Sequence, residues 1–194
     1  MGRKVYIEIG TCDFDTCLDF SEAGWMGYMI EANPIHAAAM RIQCKNNDTE
    51  VHNLAISDYN GHIDLLTPKP ELDSAGNEYE WQKGISHVVS DNHKGSLLLN
   101  DPSNDKIRGD IVRVPCMTLT DFVESSSIDR IDFMKIDVEG HEVNVMEGYD
   151  WKVKPTLVKV EHAHCDEKPI ISILEDNGYK VWVEFSDVYG VLIK

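Results

Sequence analysis

The chain has 194 residues, 42% of them hydrophobic, which suits one domain around a single buried core. Its 34 acidic against 18 basic residues leave a formal charge of −16, which repels polyanions. That balance argues against nucleic-acid and anionic-membrane partners and favours a small neutral or cationic substrate. No apolar run approaches the roughly 18 residues of a membrane span. The N-terminus runs straight into a strand pattern without an apolar leader. The five cysteines, Cys12, Cys17, Cys44, Cys116 and Cys165, are odd in number and scattered. They predict reduced thiols in the cytoplasm rather than a disulfide framework or a zinc site.

In chain order, apolar runs predict strands at Lys4–Ile9, Gly27–Glu31 and Glu50–Leu54. Helix patterns at Phe14–Glu22 and Pro34–Lys45 lie between them, the second opened by Asn33 as N-cap and Pro34 in the first turn. Strands at His62–Leu66 and Ile111–Met117 flank a polar insert at about 67–110, whose aromatic patch holds Tyr79 and Trp81. A segment of that length reads as a surface excursion or as a lid or substrate loop. A helix at Leu119–Ser125 follows Thr118, and a strand at Ile131–Ile136 leads to a helix at Glu139–Gly148. A strand at Thr156–Glu161, a helix at Lys168–Asn177 and a hairpin of Lys180–Phe185 with Tyr189–Ile193 close the chain. Strands alternating with helices imply crossover connections and a largely parallel sheet.

Three of these strands end in an acid. Glu8 precedes Gly10, Glu31 closes the second strand, and Asp137 follows the strand in the stretch Met134–Glu142, MKIDVEGHE. Open α/β sheets bind ligands at the carboxyl ends of their strands, so the acids fall where such a fold keeps its active site. A carboxylate at Glu31 can accept ribose hydroxyls. The loop Gly10–Asp15 does not read G-x-G-x-x-G, which counts against a nicotinamide oxidoreductase. Glu139 and Glu142 read as acids in the first turn of a helix, where they favour the macrodipole. His162 and His164 follow Glu161 at a strand end, and a near-neutral imidazole is a natural general base for an alcohol. His141 is a lesser candidate. Asp137, Glu161 and His162 form a divalent-ion set only if two strand ends are adjacent, and no metal ligand is assigned.

The ordered motifs resemble the FkbM family of S-adenosylmethionine-dependent methyltransferases across nearly the whole chain. They are Glu8-Ile9-Gly10, Glu31-Ala32-Asn33-Pro34, Asn53–Asp58 with Gly61, Pro115–Asp121, Lys135–Glu142, and Glu161 with Gly178-Tyr179. The resemblance implies a Rossmann-like class I methyltransferase fold. Its sheet would hold seven strands, mostly parallel with an antiparallel last strand, in one domain spanning residues 1–194. It implies S-adenosylmethionine as cofactor and O-methylation of a small-molecule or sugar hydroxyl.

Under that resemblance the methionine moiety falls to Glu8, Gly10, Thr11, Asp15 and Asp137, and the ribose to Glu31 with Ala32 and Asn33. The adenine falls to Ile56, Ser57 and Asp58. Asp137, His162 and His164 are the catalytic candidates. The partner is a small-molecule acceptor, with no nucleic acid and no membrane, and the oligomeric state is not legible. The chain departs from the family at two places in the first loop. Phe14 stands where a second glycine is usual, and Cys12 stands for an asparagine. That departure motivates the alternative of a module that binds the cofactor in the same fold without turnover.

Overall fold

In the computed structural model the described residues are 2–12, 17–46, 48–69, 86–89 and 109–193. Asp15, Phe14, Tyr79 and Trp81, and with them most of the polar insert, lie outside that set. The first strand, β1 (Val5–Ile9), is followed by α1 (Leu18–Glu22), β2 (Met26–Ile30) and α2 (Pro34–Gln43). Next come β3 (Thr49–His52), β4 (Ala55–Ser57), β5 (Gly61–Pro68), β6 (His87–Val88) and β7 (Gly109–Thr118). The remainder is α3 (Leu119–Ser125), β8 (Phe133–Ile136), α4 (Glu142–Glu147), β9 (Leu157–Glu161), α5 (Glu167–Asp176), β10 (Tyr179–Glu184) and β11 (Asp187–Leu192).

Seven strands form the main sheet in the order β10-β11-β9-β8-β1-β2-β3. The pairings from β3 through β9 are parallel, and β11 runs antiparallel between β9 and β10. This is the mostly parallel sheet with an antiparallel last strand that the alternating pattern implies. The central strands read as continuous apolar runs because helices cover both faces. On one face Ile7, Ile9, Met134, Ile136, Val158 and Val160 pack in a large buried cluster. On the other, Tyr6 and Met29 meet Met40 and Cys44 around α2.

Local chemistry sets the helix ends. The Asn33 side chain accepts from the Ile35 amide ahead of Pro34, and the Thr118 side chain accepts from the Asp121 amide. Asp166 caps α5 in the same way, and the helix starts at Glu167, one residue before the Lys168 read from the sequence. Other readings change: the helix read as Pro34–Lys45 ends at Gln43. Ala55–Ser57, inside the Asn53–Asp58 motif and not among the strands read from the sequence, is a short strand parallel to β7 in a second sheet of order β4-β7-β5-β6. The helix read from Glu139 begins only at Glu142, because Glu139 and Gly140 take left-handed backbone angles of 55° and 98°. Among the described residues no helix is long and apolar enough to cross a membrane.

The candidate active site

The carboxyl ends of β1, β2, β8 and β9 open into one cavity of about 200 Å3, which residues of the second sheet also line. Gly10 and Cys12 line it from β1, Glu31 and Ala32 from β2, Asp137, Val138 and Glu139 from β8, and Glu161 from β9. Leu54, Ala55 and Ile56 form an apolar side, joined by Leu65 and by Val88 of the insert. Lys135, His36, Ser86 and His141 complete the polar lining.

The turn after β1 rests on a close approach of two backbones. Gly10 has a φ of +77°, and a Cβ added there would meet the Asp137 carbonyl oxygen at 1.7 Å. Only glycine takes both that angle and that contact without displacement. Glu31 holds the next layer. Its Oε2 accepts from the Thr11 amide at 3.1 Å and its Oε1 from the Asn33 amide at 2.6 Å. Burial pushes its carboxyl up to about 8, against those two amides. Asn53 pins the same strand end, donating from Nδ2 to the carbonyls of Glu31 and Ala32 at 2.8 and 3.0 Å.

Beneath the cavity runs a buried ion-paired row. Glu8 and Lys135 occupy neighbouring positions of β1 and β8, and alternation puts Asp137 on the same face as Lys135. Lys135 Nζ lies 3.5 Å from Glu8 Oε1 and 3.3 Å from Asp137 Oδ2. Unpaired, a charge so buried would cost several kcal/mol. Glu8 is itself pushed up to about 7 by burial, which Lys135 opposes. Its Oε2 accepts from the Cys17 amide at 2.9 Å, tying α1 to the sheet.

The loop after β8 is organised by a residue read as a first-turn helix acid. Glu142 is 1% exposed, and its Oε1 accepts from both the Val138 and Gly140 amides at 3.0 Å. It fixes the left-handed turn that presents Glu139 to the cavity. Donor atoms of Asp137, Glu139 and Glu161 come within 4.8 Å of one another. Such a set could hold a divalent cation, with Glu139 in the place proposed for His162, although Lys135 already brings a positive charge to Asp137. Burial raises the Glu161 carboxyl, and the neighbouring Asp137 raises it further.

The sequence candidates divide. Gly10, Glu31, Ala32, Ile56 and Asp137 line the cavity. Glu8, Thr11, Asn33, Ser57 and Asp58 do not. Glu8 lies below it, the Thr11 amide is taken by Glu31, and Asn33 serves as helix cap while donating to Ser86 Oγ at 3.0 Å. Ser57 is fully buried behind Ile56, 3.0 Å from His141 Nε2, with its hydroxyl donating to Asp58 at 3.1 Å. Asp15 is outside the described residues. The convergence expected of Asp137 with His162 and His164 does not occur on the cavity wall. His162 Nε2 faces Glu167 at 3.7 Å, and His164 Nε2 pairs with Glu139 at 3.1 Å. That pairing raises the His164 imidazole, so it favours the charged form. His141, the lesser candidate, lines the cavity, and sequence reading gave Lys135 no role there. Lys135 sits inside an apolar strand, where an isolated lysine was the available signal.

A parallel sheet with one antiparallel inner strand, and a strand-end cavity walled by acids, define a class I methyltransferase architecture. The family model of the FkbM methyltransferase domain matches residues 8–181, and the chain belongs to that family. No curated protein and no solved structure gives a match.

Proposed function

We propose that this methyltransferase uses S-adenosylmethionine to methylate a hydroxyl of a small molecule or sugar. The observation that carries the reading is the acidic cavity at the strand ends, walled by Glu31, Asp137, Glu139 and Glu161 opposite an apolar strip. Its donor set fits the cofactor. Carboxylates suit a sulfonium and an ammonium, the remaining lone pairs of Glu31 suit ribose hydroxyls, and Leu54 and Ile56 suit a purine face. When bound, the cofactor supplies a methyl group activated by positive sulfur.

The chain's own groups do the rest. The Gly10 turn brings backbone against the cavity, and Glu31 holds both flanking loops still. Asp137, steadied by Lys135, orients the acceptor hydroxyl and takes its proton at a carboxylate oxygen. Glu161 keeps its own proton and directs it at Asp137. Holding the acceptor in line and excluding water supplies much of the rate. Ser86 and Val88 bring the insert to the cavity wall, which supports a lid role for that segment. One domain holds all these parts. Five free thiols fit a reducing cytoplasm.

Calorimetry with S-adenosylhomocysteine, followed by mass spectrometry of a hydroxylated acceptor panel with the methyl donor, tests the reading. The expected result is saturable binding and a one-methyl gain on an oxygen. Binding without any methylated product across sugars and alcohols favours the module without turnover. Absence of binding overturns the cofactor assignment.

A further inference from the structure

The outer edge of the main sheet carries a second feature. β10 ends the strand order, and among the described residues it pairs only with β11. A free strand edge presents a row of amide and carbonyl groups to any strand that can dock there. Proteins usually blunt such an edge with charge, proline or a covering element. This edge exposes large apolar groups between two charges: Trp182 is 42% exposed, Val183 43% and Phe185, at the hairpin tip, 93%. Trp182 is held in place, stacked on Tyr189 with ring centroids 5.2 Å apart.

The charges on this strand are arranged in a self-complementary way. β10 reads Tyr179-Lys180-Val181-Trp182-Val183-Glu184. Lys180, Trp182 and Glu184 alternate onto one face, and Lys180 and Glu184 are both exposed. When two copies of this strand pair antiparallel about Trp182, Lys180 falls opposite Glu184 of the second copy, and the reverse. Val181 then faces Val183, and Phe185 faces the Tyr179 end. A slip of one residue sets each charge against an apolar side chain, and a slip of two sets Trp182 against Glu184 or Lys180. The same charges that would repel a generic strand therefore select one register with a second copy of this chain.

We infer that the protein forms a two-fold dimer by antiparallel pairing of β10 with β10, specified by reciprocal Lys180–Glu184 contacts. The pairing would continue the sheet across both copies and cover Phe185, Trp182 and Val183. The net charge of −16 opposes association, but charges beyond about 8 Å are largely screened at physiological salt. At the edge itself the two signs balance. Opposite charges directly across a strand pair stabilise, and like charges there destabilise.

Sedimentation velocity of the full chain across the micromolar range tests the inference. The wild type should show a reversible dimer. Lys180→Glu and Glu184→Lys each set like charges face to face at both contacts and should weaken the dimer by about tenfold or more. The double exchange Lys180→Glu with Glu184→Lys restores opposite charges and should restore the dimer. Hydrogen exchange gives an independent readout, with β10 amides losing protection as the wild type is diluted. Thermal melts confirm that each variant is folded. A monomeric wild type overturns the inference. So does a dimer indifferent to the single changes, or a folded double exchange that stays monomeric.

Discussion

The α-carbon of Gly10 lies against the backbone of Asp137, so close that a methyl there would sit 1.7 Å from the Asp137 carbonyl oxygen. The two strand ends that build the cavity are thus in register through a contact with no room for a side chain. Gly10→Ala must push β1 and β8 apart or rebuild the turn, and it also strains a positive φ. Overpacking of this kind costs about 1–3 kcal/mol, with a further 1–2 kcal/mol for the backbone angle. A fall in Tm together with weakened S-adenosylhomocysteine binding is expected. An unchanged melt and unchanged Kd would show that the turn tolerates a side chain.

Glu31 has two tasks that substitution separates. Its carboxylate holds the Thr11 and Asn33 amides, and it faces the cavity. Glu31→Ala leaves two buried amides without their acceptor, at about 1–3 kcal/mol each. Glu31→Gln keeps one acceptor and loses the charge. Above pH 8, where Glu31 is ionised, both variants should bind S-adenosylhomocysteine at least about tenfold more weakly, since a charge-assisted bond contributes about 1.5–3 kcal/mol. The alanine variant alone should show a large drop in Tm. Calorimetry and thermal melts on the pair check this, and wild-type affinity in both would remove Glu31 from the ribose role.

Stability of the ligand-free protein should fall as pH rises. Burial lifts Glu8 to about 7 and Glu31 to about 8, and lifts Glu161 in the same direction. An unfolded carboxyl loses its proton near 4.3, so between that value and the folded values the native state binds more protons. Stability then declines with pH. These contributions are whole below the unfolded pKa and are lost as pH passes through about 7 to 8. His164, raised by Glu139, acts in the same sense, being lost above its raised folded value. Melting curves from acid to alkaline pH should show the decline, and Glu161→Gln should flatten its alkaline end. A Tm that rises over this window would contradict the assignment.

Catalysis should depend on Asp137 and not on the histidine pair. Neither His162 nor His164 lines the cavity, and His164 is engaged by Glu139. Asp137→Asn should lower turnover by about 10²–10⁴-fold, the usual general-base contribution. His162→Ala should leave turnover within a few-fold, and His164→Ala should act only by freeing Glu139. Single-turnover methyl transfer measured by mass spectrometry distinguishes these. A hundredfold loss in His162→Ala would return the histidine to the role of base.

What the sequence determined by itself is the order of elements and the family. Local rules sufficed for Leu119–Ser125, read to the residue, because Thr118 caps it and an apolar face continues it. Asn33 likewise set the start of the helix read as Pro34–Lys45, which ends at Gln43, and the buried strands were legible because their continuous apolar runs need cover on both sides. The acids at the ends of β1, β2, β8 and β9 were legible because chain order puts strand ends on one edge of a parallel sheet. Tertiary structure alone decided what each acid does. Glu8 is drawn below the cavity because Lys135, on the next strand, needs a partner. Glu142 turns inward to hold two amides of a left-handed turn, a role that its spacing along the chain presents only as a first-turn helix acid. The loop after β9 carries the histidines to Glu167 and Glu139 rather than onto the cavity wall. A sequence states which groups are near in the chain, while the strength of a charge depends on burial and on partners from other strands.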